Sequence, residues 1–276
     1  MQLTDARDYQ IIFLALFLVL GIGTRDWTLN PVFIVVTIIT CIFTQVFCVL
    51  VVNRNFFHQQ EDNQFSFPLS WGVRSALITS LGLNLLLRAD SLPTIILASV
   101  SAIASKFLFR FGDKHFFNPA NFGIITALIC SQDGWVSPGQ WGEDWWYGLL
   151  FIGCGGMLLQ RIGRWDTSAV FMAVYAGLEA VRNLWLGWTW DVYFHKLANG
   201  SLLLFALFMV TDPRSIPNTT EGRIIWGAIV ALITFYFRNY LYITTAPFWA
   251  LFILAPLTPL IDKLLPGNRF TWQSGS

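Results

Sequence analysis

Leu85-Leu86-Leu87-Arg88-Ala89-Asp90-Ser91-Leu92-Pro93, in the first half of the chain, has a counterpart in the second half, Leu207-Phe208-Met209-Val210-Thr211-Asp212-Pro213-Arg214-Ser215-Ile216-Pro217. Each is an apolar run halted at an Asp, then Ser-Leu-Pro or Ser-Ile-Pro, then a new apolar run. Proline lacks a backbone N–H and its ring clashes with the preceding turn, so one helix stops here and another starts. Matching interruptions in two halves of an apolar chain point to an inverted-repeat membrane protein with its site between the repeats.

The flanking sequence agrees. The 276 residues are 55% hydrophobic and 12% charged, with a mean hydropathy of +0.57, whereas soluble domains carry about 25% charged residues. Charges, prolines and Asn/Asp clusters divide the chain into ten segments near the length a bilayer requires. They are 9–24, 31–52, 68–87, 92–111, 117–131, 145–162, 166–187, 194–211, 222–238 and 240–261. The expected fold is an all-α polytopic membrane protein of about ten transmembrane helices in two inverted five-helix repeats. A single transmembrane domain then covers 1–276, with repeat one over 9–131, repeat two over 145–261 and a short tail over 266–276. The interruptions fall at equivalent places, between helices three and four and between helices eight and nine. Five is odd, so a tandem duplication inserts its halves with opposite topology. The polar stretch 53–67 reads as a cytoplasmic loop.

Ten spans put both termini on one side. That side carries Arg7, Arg54, Arg74, Lys106, Arg110, Lys114, Arg161, Arg164, Arg214, Arg223, Lys263 and Arg269, 12 of the 17 Lys and Arg. Cytoplasmic loops are enriched in Lys and Arg, which predicts cytoplasmic termini. The first apolar run follows Asp5, Arg7 and Asp8 with no small-residue cleavage site, so it reads as a retained helix. A net charge of +1 leaves no basic face for a nucleic-acid partner. Cys41, Cys48, Cys130 and Cys154 sit in apolar runs without a C-x-x-C spacing, so no metal is expected. Trp27, Trp135, Trp141, Trp145, Trp146, Trp185, Trp188 and Trp190 crowd segment ends, as in an aromatic belt at the headgroups.

Few residues can carry chemistry. Lys106 lies inside an apolar run; an ammonium in hydrocarbon either faces a partner such as an anion or a ring carbonyl, or snorkels to the interface. Phe117-Asn118-Pro119-Ala120-Asn121-Phe122-Gly123 opens a helix, with Asn able to cap it and Pro at its first turn. Its N–H groups would face the repeat interface. Asp212 caps the helix that follows it, pairs with Arg214 or Arg223, or binds a ligand directly. Glu179 and Arg182 are three apart, the spacing of an ion pair on one helix face. His58, His115 and His195 supply no matched pair for haem. Gly153-Cys154-Gly155-Gly156 reads as close helix packing.

At Lys106, Phe117-Asn118-Pro119-Ala120, Thr211-Asp212-Pro213, Gly222-Arg223 and Pro259-Leu260-Ile261-Asp262 the chain resembles the RnfD/NqrB family, membrane subunits of the Rnf and sodium-pumping NADH:quinone oxidoreductase complexes. The resemblance runs in order along the chain. It implies a urea-transporter-like inverted repeat, flavin-linked electron transfer coupled to Na⁺ or H⁺ movement, and other membrane or redox subunits as partners. Members attach FMN to the Thr of an S-G-A-T motif between helices five and six. Here the loop reads Asp133-Gly134-Trp135-Val136-Ser137-Pro138-Gly139-Gln140, with Gln140 in the Thr position. Gln140 has no hydroxyl and Pro138 stiffens Ser137, so covalent FMN is not expected.

The leading expectation is an electron-transport subunit that binds flavin or quinone non-covalently between its repeats. Its candidate lining is Lys106, Asn118, Asn121, Thr211, Asp212 and Arg214. The alternatives are a channel or transporter for a small solute, lined by Asp90, Asp212 and Glu179, and a scaffold subunit without activity.

Overall fold

The computed structural model describes residues 5–25, 29–53, 70–138 and 145–270. The loop 53–67, Gln140, Trp27, Trp141 and the end of the tail lie outside the described residues, apart from Asn53 as the last residue of a helix. The chain folds as helices: α1 (Ala6–Arg25), α2 (Pro31–Asn53), α3 (Ser70–Leu86), α4 (Leu92–Leu108), α5 (Pro119–Cys130), α6 (Trp145–Ile162) and α7 (Trp165–Trp185). Then come α8 (Trp190–Leu197), α9 (Gly200–Leu204) running into a π-turn (Phe205–Met209), α10 (Thr220–Asn239), α11 (Ala246–Leu254) and α12 (Thr258–Leu264).

Each expected segment contains helix, but the lengths differ. Among the described residues four helices are long and apolar enough to cross a membrane: Ala6–Gly23, Pro31–Val52, Thr220–Asn239 and Ala246–Leu264. Gly72–Leu86, Leu92–Leu108, Pro119–Cys130 and Gly200–Met209 are apolar and shorter.

Caps and prolines set the starts. The Asn118 side chain accepts from Asn121 N at 3.0 Å, with Pro119 in the first turn of α5. Thr219 caps α10 by accepting from Gly222 N at 3.1 Å. It takes the place considered for Asp212.

Small residues set the packing. A Cβ on Gly123 would stand 2.5 Å from Ala98 O and 2.8 Å from Ala102 Cβ, so α4 and α5 meet backbone to backbone. Gly227 of α10 approaches Thr167 O of α7 in the same way, at 3.0 Å. The principal helix contacts in the first half are α2 with α3 and α4, α4 with α5, and α1 with α3. In the second half α10 packs on α7 and α11, while α6 packs on α9 and the π-turn. Between the halves α1 touches α6 and α5 touches α11.

Two short ribbons interrupt an otherwise helical chain. Strand β1 (Leu87–Ala89) pairs antiparallel with β4 (Gly134–Val136), with Arg88 opposite Trp135. Strands β2 (Arg110–Phe111) and β3 (Lys114–His115) form a hairpin around Gly112, whose φ of 63° suits a two-residue turn.

The Glu179–Arg182 pair does not form. Glu179 accepts from Lys196 Nζ at 2.8 Å and from Asn239 Nδ2 at 2.6 Å, so α8 and α10 supply partners to both carboxylate oxygens. Arg182 lies over the Trp188 ring at 5.2 Å instead. Trp135, Trp146, Trp185, Trp188 and Trp190 are exposed.

Candidate functional site

A cavity of about 370 Å³ lies along one face of α3. Gly72, Ser75, Ile78, Thr79, Gly82, Leu85 and Leu86 line it. Their three- and four-residue spacing is one helical stripe, and at 1.5 Å per residue it runs about 21 Å. Gln45 and Val49 of α2 close one side, and Leu204 and Phe208 close the other.

The polar end of the cavity is built where α4 finishes, α5 begins and the chain leaves the π-turn. Lys106 reaches it from the last turn of α4. It is 5% exposed, so it does not snorkel. Its Nζ donates to Ser75 Oγ at 3.0 Å, with longer contacts of 3.4 Å to Ser75 O and Gln45 Oε1. Among the described residues it forms no ion pair. An ammonium has three donors, and here they meet one good acceptor and two distant ones.

Asn118 comes from the α5 cap and donates through Nδ2 to Met209 O at 3.2 Å. The cap of one helix therefore holds the end of the π-turn, where i→i+5 bonding displaces the backbone; such turns are frequent at functional sites. Thr211 follows, its hydroxyl donating to Leu207 O at 2.9 Å. Asp212 accepts from Arg214 N at 3.2 Å and stands 3.7 Å from His115 Nε2. Arg214 donates to Asp113 O at 3.0 Å, which ties the second break to the β2–β3 hairpin.

Burial raises the Asp212 carboxyl, but the His115 side chain and the Arg214 N–H outweigh it and hold it below the usual range. Burial pushes His115 down, against the pull of Asp212. Lys106, Arg110, Arg214 and Arg7 surround the same space, and the first turn of α5 faces it. Arg7 is paired with Asp5 at 2.6 Å, so Lys106, Arg110 and Arg214 against Asp212 leave a positive surplus, suited to an electron-rich group.

Five of the six expected residues, Lys106, Asn118, Thr211, Asp212 and Arg214, line one cavity. Asn121 does not. It donates to Phe248 O at 3.1 Å between α5 and α11, and its Oδ1 is buried with no partner among the described residues. Two of the three residues considered for a solute pore lie elsewhere: Asp90 is exposed, and Glu179 is held by Lys196 and Asn239. The structure adds His115, Ser75 and Gln45. His115 had a signal in its nearness to Phe117-Asn118-Pro119-Ala120; Ser75 and Gln45 had none, since a single polar residue in an apolar helix carries no pattern. Ser137 donates its N–H to Leu86 O at 2.8 Å beside the end of α3.

Comparison with known proteins gives one family. The family model described as NQR2, RnfD, RnfE matches residues 134–271, half of the chain. Thr211-Asp212-Pro213, Gly222-Arg223 and Pro259-Leu260-Ile261-Asp262 fall in that stretch; Lys106 and Asn118 precede it. The D component of the ion-translocating oxidoreductase complex of Vibrio vulnificus is 31% identical over 143 residues, 51% of this chain and 39% of that protein. The protein of the same name from Halorhodospira halophila is 35% identical over 129 residues, 46% of this chain and 35% of its own. The matched stretch thus spans less than half the length of these relatives.

Proposed function

The chain belongs to the NQR2, RnfD, RnfE family, and on that footing we propose that it is a membrane subunit of an ion-translocating oxidoreductase complex holding a flavin or quinone non-covalently against α3. One observation carries the reading. Lys106 is buried in the wall of the cavity, where it makes one hydrogen bond of 3.0 Å and two contacts of 3.4 Å and forms no ion pair among the described residues. A buried ammonium normally faces a counter-charge or an electron-rich group, and a ring carbonyl is one.

The residues fit such a group. The cavity volume lies within the roughly 300–1,000 Å³ of small-molecule sites, its walls are largely apolar, and its donors gather at one end. Lys106 would hold a ring carbonyl, Asn118 would fix its edge, and Arg214 and the start of α5 would add positive potential. A flavin or quinone bound there supplies the capacity to take up and pass on electrons. The chain's own residues exclude water through Leu85, Leu86, Leu204 and Phe208, and they hold a proton at His115 or Asp212. Partner subunits would deliver the electrons. Gln140 in place of the Thr of S-G-A-T supports non-covalent binding.

Inverted five-helix repeats and cytoplasmic termini belong to the same proposal. The contacts support the repeat: α2–α4 and α4–α5 recur as α7–α10 and α10–α11, and the halves meet through equivalent helices, α1 with α6 and α5 with α11. A two-fold axis in the membrane would produce these pairings.

The test is equilibrium dialysis of the purified chain against riboflavin and, separately, a short-chain quinone. Saturable binding of either, weakened roughly tenfold or more in Lys106→Met, is expected from loss of one hydrogen bond to a charged donor. No binding, or equal binding by the variant, overturns the proposal.

A second reading, a path for a small solute, is favoured by the length of the cavity along α3. Solute flux through proteoliposomes of the chain alone, without flavin or quinone binding, would support it over the first.

A further inference from the structure

A second, larger hollow of about 830 Å³ opens beyond Ile162, which lines both spaces. It is built from the end of α6, the α6–α7 turn, the first turn of α10, residues 267–270 and the start of α1. Four arginines border it: Arg161, Arg164, Arg223 and Arg269. Arg223 is neutralised, since its guanidinium grips the Asp166 carboxylate through Nε at 2.9 and 3.0 Å and through its terminal nitrogen at 2.5 Å.

The others are not. Arg161 and Arg164 form no ion pair among the described residues; their guanidinium groups lie over the rings of Tyr9 at 4.1 Å and Phe270 at 5.3 Å. The Arg164 Nε is buried with no hydrogen-bond partner among the described residues. Burial, and then the charge of Arg223, lower the pKa of Arg164, with Asp166 opposing. Arg269 has only a 3.4 Å contact to Asp113, whose side chain is 95% exposed. Among the described residues Glu221 is the sole carboxylate on the wall, and the positive end of the α10 dipole points the same way.

Arg161 and Arg164, without ion pairs among the described residues, and Arg269, paired only with the exposed Asp113, face one wall carboxylate beside an orphaned guanidinium nitrogen, a set suited to an anion. Guanidinium forks match phosphate oxygens, and basic pockets between membrane helices bind lipid head groups. We propose that this hollow binds a phosphate group, Arg164 being the principal contact and Arg161 and Arg269 closing around it. Two sources share that chemistry, an anionic phospholipid and a soluble phosphate. The site is separate from the α3 cavity and does not depend on a flavin or quinone.

Native mass spectrometry of the full chain released from nanodiscs of phosphatidylglycerol or of phosphatidylcholine tests it, with a thermal-shift titration of inorganic phosphate in detergent. The variant is Arg164→Gln/Arg269→Gln, with Arg164→Lys as a charge-keeping control and the elution profile as a check on folding. Preferential retention of phosphatidylglycerol, reduced about tenfold or more in the double variant and partly kept by Arg164→Lys, supports a lipid site; each basic residue near an anionic surface is worth ~1 kcal/mol. Phosphate stabilisation lost in the double variant, without lipid preference, supports a soluble source. Equal retention of both lipids with no phosphate response, or responses unchanged in a folded double variant, overturns the proposal.

Discussion

The two breaks are written alike in the sequence and built differently. In the first, Leu87–Ala89 forms strand β1, which pairs with Gly134–Val136, and Asp90 is exposed before α4 begins at Leu92. The guanidinium of Arg88 folds back on Asn84 O at 2.7 Å and Leu87 O at 2.9 Å. Beyond it Thr94 donates to Asp133, which joins the start of α4 to the turn after α5. The second break leaves a π-turn, keeps Thr211 buried and sets Asp212 against His115. Side-chain charges hold it: Lys114 Nζ donates to Ile216 O, Asn218 Oδ1 and Asp262 Oδ2, and Arg223 donates to Asn218 O at 2.7 Å. Similar punctuation therefore does not ensure similar local structure, and only the second break, not 87–93, borders the cavity along α3.

If charge holds the second break and backbone pairing the first, their sensitivities should separate. The largest effect is expected from Arg223→Ala, which leaves Asp166 without its bidentate partner near the second break. Removing one member of a buried pair costs about 3–5 kcal/mol, and thermal unfolding in detergent should show it. A loss under about 1 kcal/mol, the scale of an exposed pair, would mean that charge is not the second break's fastening. Lys114→Met comes next. Three acceptors lose one charged donor in a partly exposed pair, for about 2–3 kcal/mol in all, and proteolysis should turn first to 211–219. At the first break, Thr94→Val removes the hydroxyl bond to the Asp133 carboxylate and the 3.2 Å contact to Ser91 Oγ, for roughly 1.5 kcal/mol, with 211–219 as protected as before.

The smallest effect is a local one of pH. His115 and Asp212 both have lowered pKa values in the fold. A depressed pKa contributes stability that is complete above the unfolded-state value and is lost as pH falls through the folded one. For His115 the loss begins near about pH 6.5, and for Asp212 near about pH 4. At the first break the hydroxyls of Ser91 and Thr94 hold Asp133 at about 2. Hydrogen exchange at 110–118 and 211–217, corrected for intrinsic rate, should therefore quicken between about pH 7 and 5.5, across the ordinary His range, while 87–93 stays unchanged. Equal responses would erase the distinction.

Local pattern made much of this legible. Apolar runs gave the helices, Asn118-Pro119 gave a cap, and an ammonium in an apolar run singled out Lys106. What the sequence did not show depends on residues far apart in the chain. Strand β1 meets a partner near residue 135, Arg223 chooses Asp166 over Asp212, and Lys196 reaches Glu179 from another helix. The three-residue spacing of Glu179 and Arg182 permitted an ion pair, but tertiary partners took the carboxylate. Asn121 was grouped with Asn118 by adjacency, yet it turns to Phe248 on α11.

Lys106 is proposed to mark a non-covalent redox site through its buried ammonium. The most direct test is to purify the chain and Lys106→Met in detergent, precipitate each with acid and organic solvent, and measure the supernatant by absorbance and mass spectrometry. Flavin or quinone should be released near one per chain from the unaltered protein and be largely missing from the variant. Chromophore staying with the pellet, the same content in both proteins, or neither compound in either would contradict it.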